Sequence, residues 1–551
     1  MVTVLLNLCA AFLLLSAPAG PAPQHESHAK SGPPLRIGKV SFPNSGAPAA
    51  QEPFLRGIAL LHSYEYVDAR AAFQEAERAD PAFALAYWVE AFTHSQFDWG
   101  IEDLPQAQAA LARLAPTRDL RLAKAGNARE RAFGAAVESF LDGSGSLLER
   151  GRGFGAAMAA WSNEAPADVE ATAFAARGAL YILRYAPPAD RIQATEHAIA
   201  LAERVIAANP KHPGGVHYLI HATDSPRFAA RGLAAARIYD TLAPDADHAL
   251  HMPSHIYLQL GMWPDVSAAN ERAWAASRAW VARGKHGLTE LSWHSLQWLE
   301  YGYLQEGRYR EARALAETAR QILAGASAEM LAGKPDARYA ADMAAFLYGA
   351  ETGDWTLFSR TRADASALAV RAVGAPSPRE RVQAASAVYH IVFAALARRD
   401  VAAAAESLDA LRAAAGPLPA GDSRRVPADV AIGPLDALIA GARGNQADAV
   451  EQLTRLSEAA RENGLLPVGP SNTQPLTELL AAALFDAKRF ADAAAAYERA
   501  LVERPNRSAA LRGLARAKTA AGDTAGASAA YAKLAANWKR ADPKVKASLP
   551  K

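Results

Sequence analysis

Two pairs of histidines constrain this 551-residue chain more than any other feature. His217 and His221 are four residues apart, and so are His251 and His255. Each member of the second pair follows its counterpart by thirty-four residues. A spacing of four puts both side chains on one face of a helix. A recurrence at thirty-four is the length of a helix–turn–helix unit, which cannot bury its apolar face alone and stacks on copies of itself. Pro210 and Pro244 repeat the interval and bracket the first pair. The chain is therefore expected to be all-α, with the two pairs on neighbouring helices.

The same pattern runs through most of residues 50–540. Closing the first unit at Pro81 puts Gly57, Ala69, Phe73 and Ala76 at small and aromatic packing positions. The next unit carries Trp88, Glu90, His94 and Trp99. Residues 104–190 read as helical but off the pattern, with breaks at Asp142–Ser146 and Pro187–Pro188. Units resume around Gly261 and Gly307, weaken over 336–415 and end in two clean copies. Ala493, Tyr497, Ala500 and Pro505 occupy the packing positions of one, and Gly522, Ala527, Tyr531 and Leu534 those of the other. The expected organisation is a signal peptide (1–19), a flexible leader (20–49) and an N-terminal repeat array with a histidine-lined groove (50–320). Divergent helical repeats (321–461) and a C-terminal repeat pair with a capping tail (462–551) complete it.

These residues resemble tetratricopeptide-repeat proteins. The block HYLIHATD…HALHMPSHIYLQLGMW is similar to that of an exported bacterial subgroup of such proteins, and distantly similar to the tetratricopeptide repeat protein 38 family. The resemblance implies a right-handed superhelix of helix pairs whose concave face takes a peptide or partner protein. It implies no activity.

Charge and cysteine usage narrow the chemistry. Lys+Arg and Asp+Glu number 59 and 57, and no basic run interleaves with aromatics, which excludes a nucleic-acid surface. The lone cysteine, Cys9, lies in the apolar stretch VTVLLNLCAAFLLLS, too short to span a membrane and followed by Ala17-Pro18-Ala19. That reads as a signal for export to the periplasm or beyond, leaving a mature chain with no thiol and no membrane span. Any metal must then be held by histidine and carboxylate.

His217, His221, His248, His251 and His255 are the metal-ligand candidates, with His294 and Asp247 as weaker additions. Imidazole is the commonest ligand for zinc, copper or iron, and an i, i+4 pair is a chelating geometry. Asp224, Asp245, Asp247 and Glu290 are near enough in sequence to accept from an imidazole N–H or to ligate directly. Pro253 removes a helix hydrogen bond between two of the histidines, so the helix is expected to kink there or to begin later. His62, His94 and His390, each alone, read as packing residues; His197, His212 and His286 read as surface residues. His94, Trp88, Glu90 and Trp263 are candidates for partner contact.

Neither HYLIH nor HMPSH contains the glutamate of a zinc protease, and no phosphate loop, dinucleotide glycine pattern or nucleophile elbow is present. Three readings remain. One is an exported scaffold with a transition metal in a groove that binds a peptide or protein. The second is a metal-dependent hydrolase or oxidoreductase with Asp224 or Glu290 as base. The third is an interaction module without metal whose histidines serve packing or pH sensing.

Overall fold

The computed structural model describes residues 36–96, 101–284, 287–288, 291–331, 335–462, 469–470 and 474–550. Helices dominate them, joined mostly by short turns. Two compact units divide the chain, Ser16–Ile256 and Tyr257–Lys551, so their boundary falls inside the segment expected as one N-terminal array.

The N-terminal unit opens with a helix pair, Pro48–His62 and Tyr66–Ala79, followed by Ala84–Phe92. The unit that carries Trp88, Glu90 and His94 is only partly helical. The helix stops at Phe92, where the Thr93 hydroxyl turns back to the Glu90 carbonyl (2.6 Å), and Ser95–Gln96 pairs antiparallel with Ile101–Glu102. Further pairs follow, among them Leu147–Glu164 with Val169–Arg184, then Arg191–Ala208, Pro213–Thr223 and Ala229–Leu242. Local signals set these limits. Ser146 and Glu149 form a reciprocal capping box, and the Asp168 carboxylate accepts from the N–H groups of Glu170 and Ala171. Gly155 and Gly178 let the two helices they sit on meet backbone to backbone, since a Cβ on Gly178 would lie 2.6 Å from the Gly155 Cα.

Part of the expected flexible leader is packed instead. Phe42 is buried against Phe54, Phe133, Trp161 and Phe174, with the Arg129 guanidinium 4.2 Å above its ring. The Lys39 N–H donates to the Lys211 carbonyl (3.0 Å), and Arg36 pairs with Asp245 (3.0 Å). One aromatic anchor in a Pro/Gly-rich stretch is enough to fix it, and composition averaged over thirty residues hides that anchor. The signal-peptide stretch, with Cys9, His25 and His28, lies outside the described residues.

The C-terminal unit runs from Trp263–Gly284 through Trp293–Gln305 and Tyr309–Gly325 to the final pairs Leu476–Asp486 with Phe490–Glu503 and Ser508–Ala520 with Thr524–Asn537. Its last segment packs against its first. The Trp263 indole donates to the Asn506 carbonyl (2.8 Å), and the Asp542 N–H to that of Gly307 (3.0 Å). The Arg310 N–H donates to the Asp542 carboxylate (2.9 Å).

One turn recurs in both units. Tyr64, Gly261, Gly307, Arg399, Gly444, Lys488 and Gly522 all have positive φ between the two helices of a pair. After each, the next N–H reaches back to the last turn of the helix just ended, as Glu65 does to Leu60 and Asp523 to Lys518. In the middle of the chain these positions lie further apart than thirty-four residues. The helices there are longer, which is why the sequence pattern fades over 336–415 although the helix pairs persist.

Candidate functional site

Five histidines gather in the N-terminal unit. His217 and His221 project from Pro213–Thr223, whose start is set by Pro213 in the first turn and by the His212 ring, which accepts from the Gly215 N–H (3.2 Å). His248 and His251 come from the short helix Asp247–His251. A new helix, Pro253–Gln259, begins at the proline and carries His255. The expected break at Pro253 is thus a clean interruption at Met252, with the ring at the first helical position where no N–H is missed.

The histidines meet in two pairs, each through Nε2. The Nε2 atoms of His217 and His248 are 3.2 Å apart, and those of His251 and His255 are 3.0 Å apart. In both pairs the far nitrogen of one ring is tied down. Nδ1 of His217 donates to the His62 carbonyl (2.7 Å), and Nδ1 of His255 donates to the Asp224 carboxylate (2.6 Å). A neutral imidazole carries one N–H, so the Nε2 lone pairs of His217 and His255 are left facing their partners. Two imidazole nitrogens on one zinc-like ion, each about 2.0–2.1 Å from it, sit about 3.4 Å apart in a tetrahedral shell and about 2.9 Å in an octahedral one. Both observed separations fall between these limits.

His221 adds a third nitrogen within 4.8 Å of those of His217 and His248. Its Nε2 is buried and has no hydrogen-bond partner. Burial, then the positive charge neighbouring rings would carry, holds His217 and His248 well below the usual histidine range and His221 down at about 3. The rings are therefore neutral at physiological pH, the form that ligates a metal. His217, His251 and His255 are buried, whereas His221, His248 and Asp224 reach the surface in part.

Several other predicted residues have other contacts. Asp247 contacts the Glu65 carboxyl, and burial raises both groups; Glu65 also accepts from the His248 backbone N–H (3.1 Å). Asp245 pairs with Arg36. Trp88 is wholly buried with its indole donating to Glu138 (3.0 Å), and Glu90 is buried against Arg113 and Gln74. Neither is presented to a partner. His94 is half-buried and lowered to about 3 by burial, then by Arg70 and Arg113. Trp263 and His294 belong to the C-terminal unit, where Trp263 is buried and the His294 ring stands edge-on to Trp298. Glu290, Trp99 and His286 lie outside the described residues.

Sequence reading missed what stands behind the cluster. His212, expected at the surface, is buried, and so is His62; both donate to one buried carboxylate, Glu170, at 3.1 and 2.9 Å. Burial would raise Glu170, but His212 and His62 outweigh it and hold it at about 2, while burial lowers His62 to about 4. Gly214 makes room for this group, since a Cβ there would lie 2.8 Å from the His62 ring. Tyr64, at its positive-φ turn, lays its ring against three of the five histidines, with centroids 4.4 Å from His217, 5.8 Å from His221 and 5.5 Å from His248. Buried Arg177 caps the far side, 5.0 Å from the Tyr64 ring centroid. The signal for His62 and His212 was the PGG run after His212, which makes a helix start and a close approach at once.

Comparison with known proteins agrees with this architecture. Residues 484–548 match the family model described as tetratricopeptide repeat, and these are the residues where the thirty-four-residue period is undiluted. No curated protein matches the sequence. Among solved structures, the chain is similar to one titled "Crystal structure of APC/C hetero-tetramer Cut9-Hcn1" at 9% identity and a TM-score of 0.27, over 91% of this chain and 90% of that one. It is also similar to one titled "Crystal structure of Ypp1" at 9% identity and a TM-score of 0.35, over 88% and 87%. Within the described residues no helix is long and apolar enough to cross a membrane. The described residues are helical almost throughout, built as helix–turn–helix units, and those at 484–548 match the tetratricopeptide-repeat model.

Proposed function

We propose that this chain is an exported interaction scaffold of the tetratricopeptide type whose N-terminal unit binds a transition metal, zinc foremost, through the five-histidine cluster. One observation carries the metal reading: two His–His contacts through Nε2, in each of which the opposite nitrogen of one ring is fixed by a protein acceptor. Packing alone needs no such arrangement, because a buried histidine is satisfied by any one donor and one acceptor. The paired-histidine block supports placing the chain with the exported bacterial subgroup and, more distantly, with the tetratricopeptide repeat protein 38 family. Helical repeats of this type present extended faces suited to a peptide or protein, which is the partner class we assign.

The binding reading is favoured over the enzymatic one by Asp224. As a catalytic base it would have to be free to take a proton, whereas it is spent on orienting His255. Metal analysis of tag-free protein, purified without chelating resin, tests the proposal beside the His217→Ala/His251→Ala double variant. The wild type is expected to carry at least one equivalent of a transition metal, and the variant none. A wild type that holds no metal and gains no thermal stability from added zinc or copper would sink the metal reading and leave a module whose histidines serve packing.

A further inference from the structure

We infer that the cluster holds two metal ions, with His217, His221 and His248 on one and His251 and His255 on the other; this rests on the metal reading above. An ion about 2.0–2.1 Å from an imidazole nitrogen lies about 3.2 Å from the ring centroid, so two rings on one tetrahedral ion have centroids about 5.2 Å apart. Within each pair the value is met, at 5.0 Å for His217 with His248 and 5.0 Å for His251 with His255. Between pairs it is exceeded, at 6.1 Å for His248 with His251 and 5.8 Å for His221 with His255. His221 is placed by its nitrogen rather than by its ring: the centroid is 4.7 Å from that of His217 but 6.5 Å from that of His248, while a ligand nitrogen lies within 4.8 Å of those of both.

Each group also has its own orienting acceptor. The His62 carbonyl serves the first and the Asp224 carboxylate the second. A single ion served by five imidazoles would need only one set, and would draw the rings toward one centre. The Pro253 break supports the division, because it separates the helix bearing His248 and His251 from that bearing His255 and so lets His255 turn to meet His251. The ligands are borderline-soft imidazole nitrogens, which suit zinc.

The test is zinc stoichiometry on the full chain stripped by chelator, by calorimetric titration and by metal analysis after desalting. Wild type is expected to bind two equivalents. His217→Gln/His248→Gln and His251→Gln/His255→Gln are each expected to keep one, glutamine being chosen because it retains a hydrogen-bonding side chain. One equivalent in wild type, abolished by either double variant, would overturn the two-ion assignment while leaving the metal reading standing; no binding at all would overturn both. Zinc X-ray absorption on the unmutated chain decides the matter independently of folding in the variants. An average of about two to three imidazole nitrogens per zinc is expected at full loading, and four or five on a single equivalent counts against the proposal.

Discussion

Each unit buries a polar cluster within stacked helices, and the two are built on opposite principles. In the C-terminal unit Arg507 is wholly buried and answers every nearby acceptor: Glu478 (2.5 Å), Glu351 (2.6 Å), the Tyr301 hydroxyl (2.7 Å) and Gln474 (3.1 Å). Its fork joins the helix Ser508–Ala520, which it precedes, to Pro335–Thr352, Trp293–Gln305 and Leu476–Asp486. There a buried cation is matched by two buried carboxylates. In the histidine cluster of the N-terminal unit burial holds His217, His221 and His248 in the neutral form, the rings contact one another through Nε2, and Nε2 of His221 is buried with no hydrogen-bond partner. One cluster is held by opposed charges and the other by neutral rings.

The sharpest way to break this comparison is to remove Arg507. Arg507→Met leaves Glu351 and Glu478 buried without their cation, a loss of about 3–5 kcal/mol. Denaturant unfolding should show a lower midpoint, with zinc affinity per folded molecule unchanged. A variant as stable as wild type would mean the arginine is not the strut described here. The mirror change is Asp224→Asn, which frees His255 to turn. Zinc affinity should fall about 10–100-fold with only a small change in metal-free stability. Equal affinity would remove Asp224 from the site.

A subtler contrast lies in pH. Glu300 in the C-terminal unit is fully buried with neither carboxylate oxygen hydrogen-bonded, and burial raises it well above the usual range. The folded state then keeps the proton that the unfolded chain loses above about pH 4.5, so this group lowers stability by about 1.4 kcal/mol per pH unit from there upward until it ionises in the fold. His62 runs the other way. It is held neutral down to about 4, so unfolding takes up a proton below about 6.5, and its contribution is lost as the pH falls from there toward 4. Glu300→Gln should therefore gain on wild type as pH rises, and His62→Gln as pH falls. Unfolding midpoints at pH 5, 6.5 and 8 read both, and parallel curves for either variant would contradict its assigned environment.

How legible this was in the sequence follows from the range of each interaction. The helix-pair architecture and the grouping of His217, His221, His248, His251 and His255 came from intervals of four and thirty-four, because helix geometry converts those into shared faces and adjacent helices. Asp224 was within reach for the same reason. Glu170, Tyr64 and Arg177 were not. All three stand far from the histidines in sequence, and Glu170 and Arg177 lie where the period has drifted, so no interval points to them. The Ser95–Gln96 ladder and the packing of Phe42 escaped because each depends on a few specific contacts rather than on a pattern.

Tyr64 has a wider meaning for arrays of this kind. At the same turn the chain elsewhere uses Gly261, Gly307, Gly444 and Gly522, and the left-handed backbone conformation disfavours a bulky residue by about 1–2 kcal/mol. Where the space beside such a turn is open, as at Gly444 and Gly522, a side chain has room, whereas at Gly261 a Cβ would run into the Pro505 carbonyl and at Gly307 into Ala541. Tyr64 shows what one residue at this turn can reach: its buried ring touches three histidines that come from two other helices.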